Sequence, residues 1–184
     1  MAIKTPICDF GQIAKTFELR SINNEFVKLN DAKGENGTLI MFICNHCPYV
    51  KAVIKDIVED CMNLEKLGIK SLAICSNDAK NYPEDSFDKM KEFSKNYNFN
   101  FPYLIDENQE IAKKYDAVCT PDFFGYNKNL ELQYRGRIRE LKDLKPVRDE
   151  ESDLYKAMKQ ISETSLGPKE QIPSMGCGIK WLNN

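Results

Sequence analysis

Cys44 and Cys47 are the residues of this chain whose type and spacing most directly indicate chemistry. They stand three positions apart, after the apolar run 39–43 and before a stretch with helical periodicity. Two thiols at the first turn of a helix can close a disulfide and reopen it, and the unpaired N–H groups of that turn stabilise a thiolate. Such a setting lowers the pKa of a cysteine from about 8.5 to roughly 3.5–7.5. The pair therefore predicts redox chemistry.

Length and composition indicate one globular domain over residues 1–184. The net charge of −2 and the 29% of charged residues favour neither a nucleic-acid nor a membrane partner. No apolar run approaches the ~20 residues of a membrane span, and the first residues do not predict a secretory signal. Seven widely scattered cysteines, an odd number, indicate a reducing compartment. We therefore expect a cytoplasmic protein, with no metal and no cofactor.

The pattern of elements predicts an α/β domain of three layers around a mixed sheet. An N-terminal β-hairpin is expected at 17–20 and 25–29, because both segments alternate and two asparagines separate them. The tail from about residue 166 is rich in Gly and Pro and predicts irregular structure. The other expected strands are 38–43, 70–75, 103–105, 123–127 and 130–136, and the expected helices begin near 48, 82, 109 and 154.

Three segments together resemble the thioredoxin superfamily, in particular its peroxiredoxin-like (redoxin) branch that carries a CxxC motif. They are Phe-Ile-Cys-Asn-His-Cys-Pro-Tyr-Val at 42–50, Cys-Thr-Pro-Asp-Phe-Phe at 119–124 and Tyr-Arg-Gly-Arg at 134–137. The resemblance covers roughly residues 10–165. It implies a thioredoxin-like three-layer fold with a central mixed sheet and an added N-terminal hairpin.

The same resemblance implies roles for the site residues. Cys44 would be the exposed, low-pKa nucleophile that attacks a disulfide, and Cys47 the buried thiol that resolves the mixed disulfide. Pro121 would follow a cis peptide bond, with Thr120 facing Cys44, and this loop would bind the substrate. The implied partners are protein or small-molecule disulfides and thiols, together with a cellular thiol reductant.

His46 is the chain's only histidine and lies between the two cysteines. A cation or hydrogen-bond donor there would stabilise the Cys44 thiolate, so we expect His46→Ala to raise the pKa of Cys44. The alternative is a surface histidine without a role.

The remaining cysteines divide by their surroundings. Cys61 lies on an apolar helix stripe and Cys75 ends an apolar strand, so both predict small core residues. Cys8 is interpreted as incidental. Cys119, two residues before the proline of the loop, is either core filler or an additional redox thiol.

Cys177 lies between two glycines near the end of the chain. Their flexible backbone suits a thiol that must reach another site. If the tail folds back over the site, anchored by Ile179 and Trp181, Cys177 could form a disulfide with Cys44 or Cys119. Otherwise Cys177 is idle.

A thiol peroxidase is an alternative function. In peroxiredoxins the peroxidatic cysteine aligns with Cys47, with a threonine three residues earlier and a proline seven residues earlier. Here those places hold Cys44 and Ile40. Arg135 could be argued as a substitute donor, but nothing in the sequence places it near the thiols.

Two non-catalytic alternatives also remain. Cys44, His46, Cys47 and Cys119 could bind zinc, although no second paired motif is present. The same thiols could instead serve a redox sensor that shows no turnover with a small disulfide.

Overall fold

The computed structural model describes residues 2–182. No helix among these residues is long and apolar enough to cross a bilayer. The strands are β1 (Ala2–Lys4), β2 (Glu18–Ser21), β3 (Phe26–Lys28), β4 (Gly37–Phe42), β5 (Ile69–Cys75), β6 (Tyr103–Ile105), β7 (Cys119–Thr120), β8 (Asp122–Asn127), β9 (Leu132–Tyr134), β10 (Leu141–Lys142), β11 (Lys145–Pro146) and β12 (Met175–Gly178). The helices are α1 (Leu29–Ala32), α2 (Pro48–Glu65), α3 (Phe87–Asn96), α4 (Glu110–Lys114) and α5 (Asp153–Thr164), and a 3₁₀ turn covers Pro83–Asp85.

A mixed sheet in the order β3-β2-β6-β5-β4-β8-β9 forms the centre of the fold. Its central strand β4 pairs parallel with β5 and antiparallel with β8. The hairpin β2–β3 is added at one edge through β6, which confirms the expected N-terminal hairpin. The carboxyl end of β4 leads directly to the two cysteines.

The six residues of β4 are all buried because the sheet is covered on both faces. Leu39 and Met41 pack into a core with α2, α3 and α5, whereas Ile40 and Phe42 pack into a second core with α4 and the N-terminal segment. Burying each such side chain contributes roughly 1.5–3 kcal/mol. The expected three-layer α/β architecture is confirmed.

The tail is more regular than its composition predicts. Residues of the tail form β12, which pairs antiparallel with β1 on one side and β7 on the other. Gly176 permits this close approach, since a Cβ there would lie 1.9 Å from the carbonyl oxygen of Thr120. The expectation of an irregular tail is therefore wrong for Met175–Gly178.

Candidate active site

Cys44 and Cys47 lie where the chain passes from β4 into α2. Cys47 is the N-cap residue of α2, and Pro48 occupies the first turn, where its missing N–H costs nothing. Both cysteines are free, and their side chains interact by a hydrogen bond. Cys44 is 1% exposed and Cys47 0%. The expectation of an exposed Cys44 beside a buried Cys47 is wrong, because the loop before β8 covers both thiols.

That loop contains a cis peptide bond between Thr120 and Pro121, as the resemblance implied. The Thr120 hydroxyl lies 3.3 Å from the Cys44 Sγ, which confirms that Thr120 faces Cys44. The carbonyl oxygen of the same residue lies 3.1 Å from the Cys47 Sγ and can accept a hydrogen bond from that thiol. One residue of the loop thus contacts both sulfur atoms.

The two thiols differ in their electrostatic surroundings. The hydrogen bond from Cys44, together with donors from Val50 and Cys177, lowers the pKa of Cys47 to about 5 against the effect of burial. The pKa of Cys44 is raised well above its usual value by the hydrogen bond with Cys47, by burial and by the nearby Asp85 carboxylate. The hydrogen bond with the Thr120 side chain lowers the pKa of Cys44, but this effect is smaller than the causes that raise it. These causes favour the thiolate on Cys47 rather than on Cys44, where it was expected.

Asp85 is a site residue that the sequence analysis did not identify. Its carboxylate is buried and accepts hydrogen bonds from the backbone N–H of Asn45 (2.7 Å) and of His46 (3.3 Å). It also accepts one from the side-chain amide of Asn77 (2.7 Å), and it lies 2.6 Å from the His46 Nδ1. The carboxylate therefore fixes the backbone of the two residues between the cysteines.

His46 is oriented by two contacts and is not a surface residue without partners. One is the Asp85 carboxylate, and the other is Tyr82, whose ring stacks on the imidazole at a centroid distance of 5.6 Å and an interplanar angle of 9°. The expected effect of His46→Ala on the pKa of Cys44 stays a prediction.

The segment from Cys44 to Cys47 and the neighbouring Asp85 together provide three potential metal ligands. A ligand atom each of Cys44, His46 and Asp85 lies within 4.8 Å of the other two. Asp85 already accepts from two backbone and one side-chain N–H and contacts His46, so the roughly four acceptor positions of a carboxylate are engaged by the protein itself. Cys119 turns elsewhere, with its Sγ 3.9 Å from the carbonyl oxygen of Pro121. These contacts favour a thiol site over a zinc site.

The other thiols fall into two groups. Cys61 and Cys75 are buried core residues, as expected, and burial raises the pKa of each to about 12. Cys119 is buried beside the loop, and its pKa is also raised by burial. Cys177 is partly exposed, and its side chain interacts with Cys47. The tail does fold back over the site, but it brings Cys177 to Cys47 rather than to Cys44.

The lowered pKa of Cys47 predicts a pH-dependent stability of the reduced protein. In the unfolded chain both thiols stay protonated up to about pH 8.5, whereas the folded chain releases the Cys47 proton at about 5. Folding stability of the reduced form should therefore rise by about 1.4 kcal/mol per pH unit in the middle of this window and decline as pH falls towards 5. Above about pH 8.5 the unfolded chain loses the Cys44 proton while the folded chain keeps it, because the pKa of Cys44 is raised in the folded state. Folding stability of the reduced form should therefore decline with rising pH in that range.

Denaturant unfolding at several pH values measures this slope. The disulfide form, which has no Cys47 proton to release, is the matched control and should lack this contribution. Equal pH dependence of the two redox forms would contradict a lowered thiol pKa in the reduced pair.

Comparison with known proteins gives three further findings. Residues 10–141 match the sequence profile of the AhpC/TSA family. The chain is 24% identical over 117 residues to the thiol-disulfide oxidoreductase ResA of Bacillus subtilis, a match that includes 64% of this chain and 61% of ResA. The chain thus spans about three fifths of the length of that curated relative.

Two solved structures have a fold similar to that of this chain. A conserved protein of Geobacillus kaustophilus superposes with a TM-score of 0.95 at 38% identity, covering 100% of this chain and 98% of its own. A secreted disulfide oxidoreductase of Mycobacterium tuberculosis superposes with a TM-score of 0.55 at 16% identity, over 64% of this chain and 80% of its own. The second likeness concerns the fold alone, which is thioredoxin-like.

Proposed function

This chain belongs to the AhpC/TSA family, and from that premise we propose that it is a thiol–disulfide oxidoreductase working through Cys44 and Cys47. The observation that carries the proposal is the arrangement of two free thiols at the start of α2 with Thr120 against both sulfur atoms. The name of the Bacillus subtilis relative, a thiol-disulfide oxidoreductase, supports it.

The reduced pair carries one proton at neutral pH in this account. The Cys47 thiolate accepts the proton of Cys44 through their hydrogen bond, and Cys44 attacks one sulfur of a substrate disulfide. The first leaving thiolate takes the proton from Cys47, which is then free to attack the Cys44 sulfur of the mixed disulfide. That second attack releases the other substrate thiolate and leaves a Cys44–Cys47 disulfide. The substrate has gained two electrons and the pair has lost two.

Thiol and disulfide compounds are the proposed partners, with a cellular thiol reductant restoring the reduced pair. The loop residues Thr120 and Pro121 are proposed to contact the substrate, because Thr120 contacts both sulfur atoms and Pro121 follows it through the cis peptide bond. A reducing compartment such as the cytoplasm is proposed on the basis of seven cysteines that are all unpaired.

Peroxide reduction has less support than disulfide reduction, because Arg135 is engaged by other residues. Its guanidinium donates to both carboxylate oxygens of Asp122, at 2.9 and 3.3 Å, and to the carbonyl oxygen of Asp116 at 2.7 Å. The arginine considered as a substitute for the missing threonine is thus engaged in a buried ion pair.

The experiment that tests the proposal compares oxidants under one thiol reductant. Reduced protein should accelerate reduction of a small aromatic disulfide and of a disulfide-bonded protein, and it should not accelerate consumption of hydrogen peroxide. Faster peroxide consumption without disulfide turnover would replace the proposal by a peroxidase. Bound zinc in protein purified under reducing conditions, together with no turnover, would favour the metal-binding alternative.

A further inference from the structure

The carbonyl and N–H groups beside the cis-proline are occupied by the chain's own tail. In β12, Cys177 pairs with Thr120 and Gly178 pairs with Cys119. Beyond the ladder, the Ser174 hydroxyl donates to the carbonyl oxygen of Pro121 at 2.8 Å. The backbone of Thr120 therefore pairs with the tail of the same chain. This pairing holds one side chain of the tail beside the redox site.

That side chain is Cys177, the partly exposed member of a cluster of three thiols. Cys44 and Cys47 are almost fully buried, whereas Cys177 is not. The Cys47 Sγ lies 3.1 Å from the carbonyl oxygen of Thr120, the residue that pairs with Cys177, and Cys177 packs against the core cluster that contains Cys44 and Cys47. Cys47 is thus the sulfur that either of the other two can reach.

We propose that Cys177 is a third redox residue, which exchanges with the Cys44–Cys47 disulfide by forming a disulfide with Cys47. The proposal rests on the redox function of Cys44 and Cys47 proposed above. It differs from the pairing expected from the sequence, because the described contacts of Cys177 lead to Cys47.

The exchange conserves atoms and electrons. The Cys177 thiolate attacks the Cys47 sulfur, so that a Cys177–Cys47 bond forms while the Cys44–Cys47 bond breaks. The electron pair remains on the Cys44 sulfur, which takes up the proton that Cys177 released. The product carries the disulfide at the more exposed thiol. A reducing thiol can then attack the Cys177 sulfur, which forms a mixed disulfide and releases Cys47 as a thiolate, the form that its surroundings stabilise. A second reducing thiol attacks the mixed disulfide and releases Cys177, so that the two reducing thiols leave as one disulfide.

Gly176 offers a way to remove this geometry without removing a thiol. A Cβ at Gly176 would lie 1.9 Å from the Thr120 carbonyl oxygen and 2.5 Å from its carbon, both backbone atoms. Gly176→Ala should therefore displace β12 from β7. A Cβ at Gly178 would meet mainly the flexible end of the Ile3 side chain at 2.8 Å, so Gly178→Ala is the matched control.

The test uses the full chain with Cys44→Ser, treated with glutathione disulfide and mapped by peptide mass spectrometry. A Cys47–Cys177 disulfide is expected as the main product, and its formation should slow at least about tenfold when Gly176→Ala is added but not when Gly178→Ala is added. A product in which Cys47 carries only glutathione, or in which Cys177 links elsewhere, would overturn the inference. Equal rates of Cys47–Cys177 disulfide formation in the two glycine variants would also overturn it.

A second measurement separates this inference from the proposed function. Oxidised protein carrying Cys177→Ser should be re-reduced by glutathione about tenfold more slowly than the unsubstituted protein. If this variant forms the Cys44–Cys47 disulfide and is re-reduced at the unsubstituted rate, the third thiol has no part and the proposed function stands. If the unsubstituted protein forms no Cys44–Cys47 disulfide, the proposed function itself fails.

Discussion

Replacement of either active-site cysteine by serine is expected to lower disulfide reduction by about 10³-fold or more, because each variant lacks one of the two sulfur atoms that the exchange requires. The two variants should fail differently. Cys44→Ser loses the sulfur that we propose attacks the substrate. Cys47→Ser keeps that sulfur and should accumulate a mixed disulfide on Cys44, since nothing resolves it.

Turnover assays and intact mass measurement after exposure to a disulfide substrate would show both effects. Cys61→Ser is a suitable control because Cys61 is also buried and lies within α2, away from the loop. Its turnover should remain within a few-fold of the unsubstituted protein. Comparable losses in all three variants would mean that the serine substitutions act through the core.

Asp85→Ala is expected to lower the free energy of unfolding by about 3 kcal/mol. The backbone N–H groups of Asn45 and His46 would lose their buried acceptor, and each unsatisfied group costs roughly 1–3 kcal/mol. For a chain of this length such a loss corresponds to a fall of about 6–12 °C in Tm. Thermal unfolding of the reduced protein measures it.

Two further variants, Asp88→Ala and Asp85→Asn, provide the comparison for Asp85→Ala. Asp88→Ala, at an exposed position on the first turn of α3, should change stability by less than about 0.5 kcal/mol. Asp85→Asn keeps an acceptor oxygen and should cost less than Asp85→Ala, while removal of the charge should lower the pKa of Cys44. If Asp85→Ala is no more destabilising than Asp88→Ala, the Asp85 carboxylate does not stabilise the segment between the two cysteines.

Local sequence signals were sufficient for the parts of the site that neighbouring residues determine. The apolar run before Cys44 and the proline after Cys47 predicted the strand and the helix. The cis peptide bond and the contact between Thr120 and Cys44 were implied by the resemblance to the thioredoxin superfamily, whose members share this topology.

Contacts between distant segments could not be predicted in this way. Asp85 lies 40 residues from Asn45, and in the sequence it was one acidic residue at the start of a polar helix. The lowered pKa of Cys47 depends in part on donors from Cys177 in the tail, whose glycines and prolines predicted irregular structure. The ladder between β12 and β7 forms because the glycine at 176 allows close backbone approach, and this information is tertiary.

Cys44 and Cys47 are expected to form a reversible two-electron couple. Equilibrium titration in glutathione redox buffers, with the disulfides mapped at each point, measures this couple. We expect a transition with the slope of two electrons, or about 30 mV for each tenfold change in the ratio of oxidised to reduced protein, with a disulfide that always includes Cys47. The transition should be absent in Cys47→Ser. Failure to form any disulfide at Cys47 across the accessible potentials, or an unchanged transition in Cys47→Ser, would contradict the account.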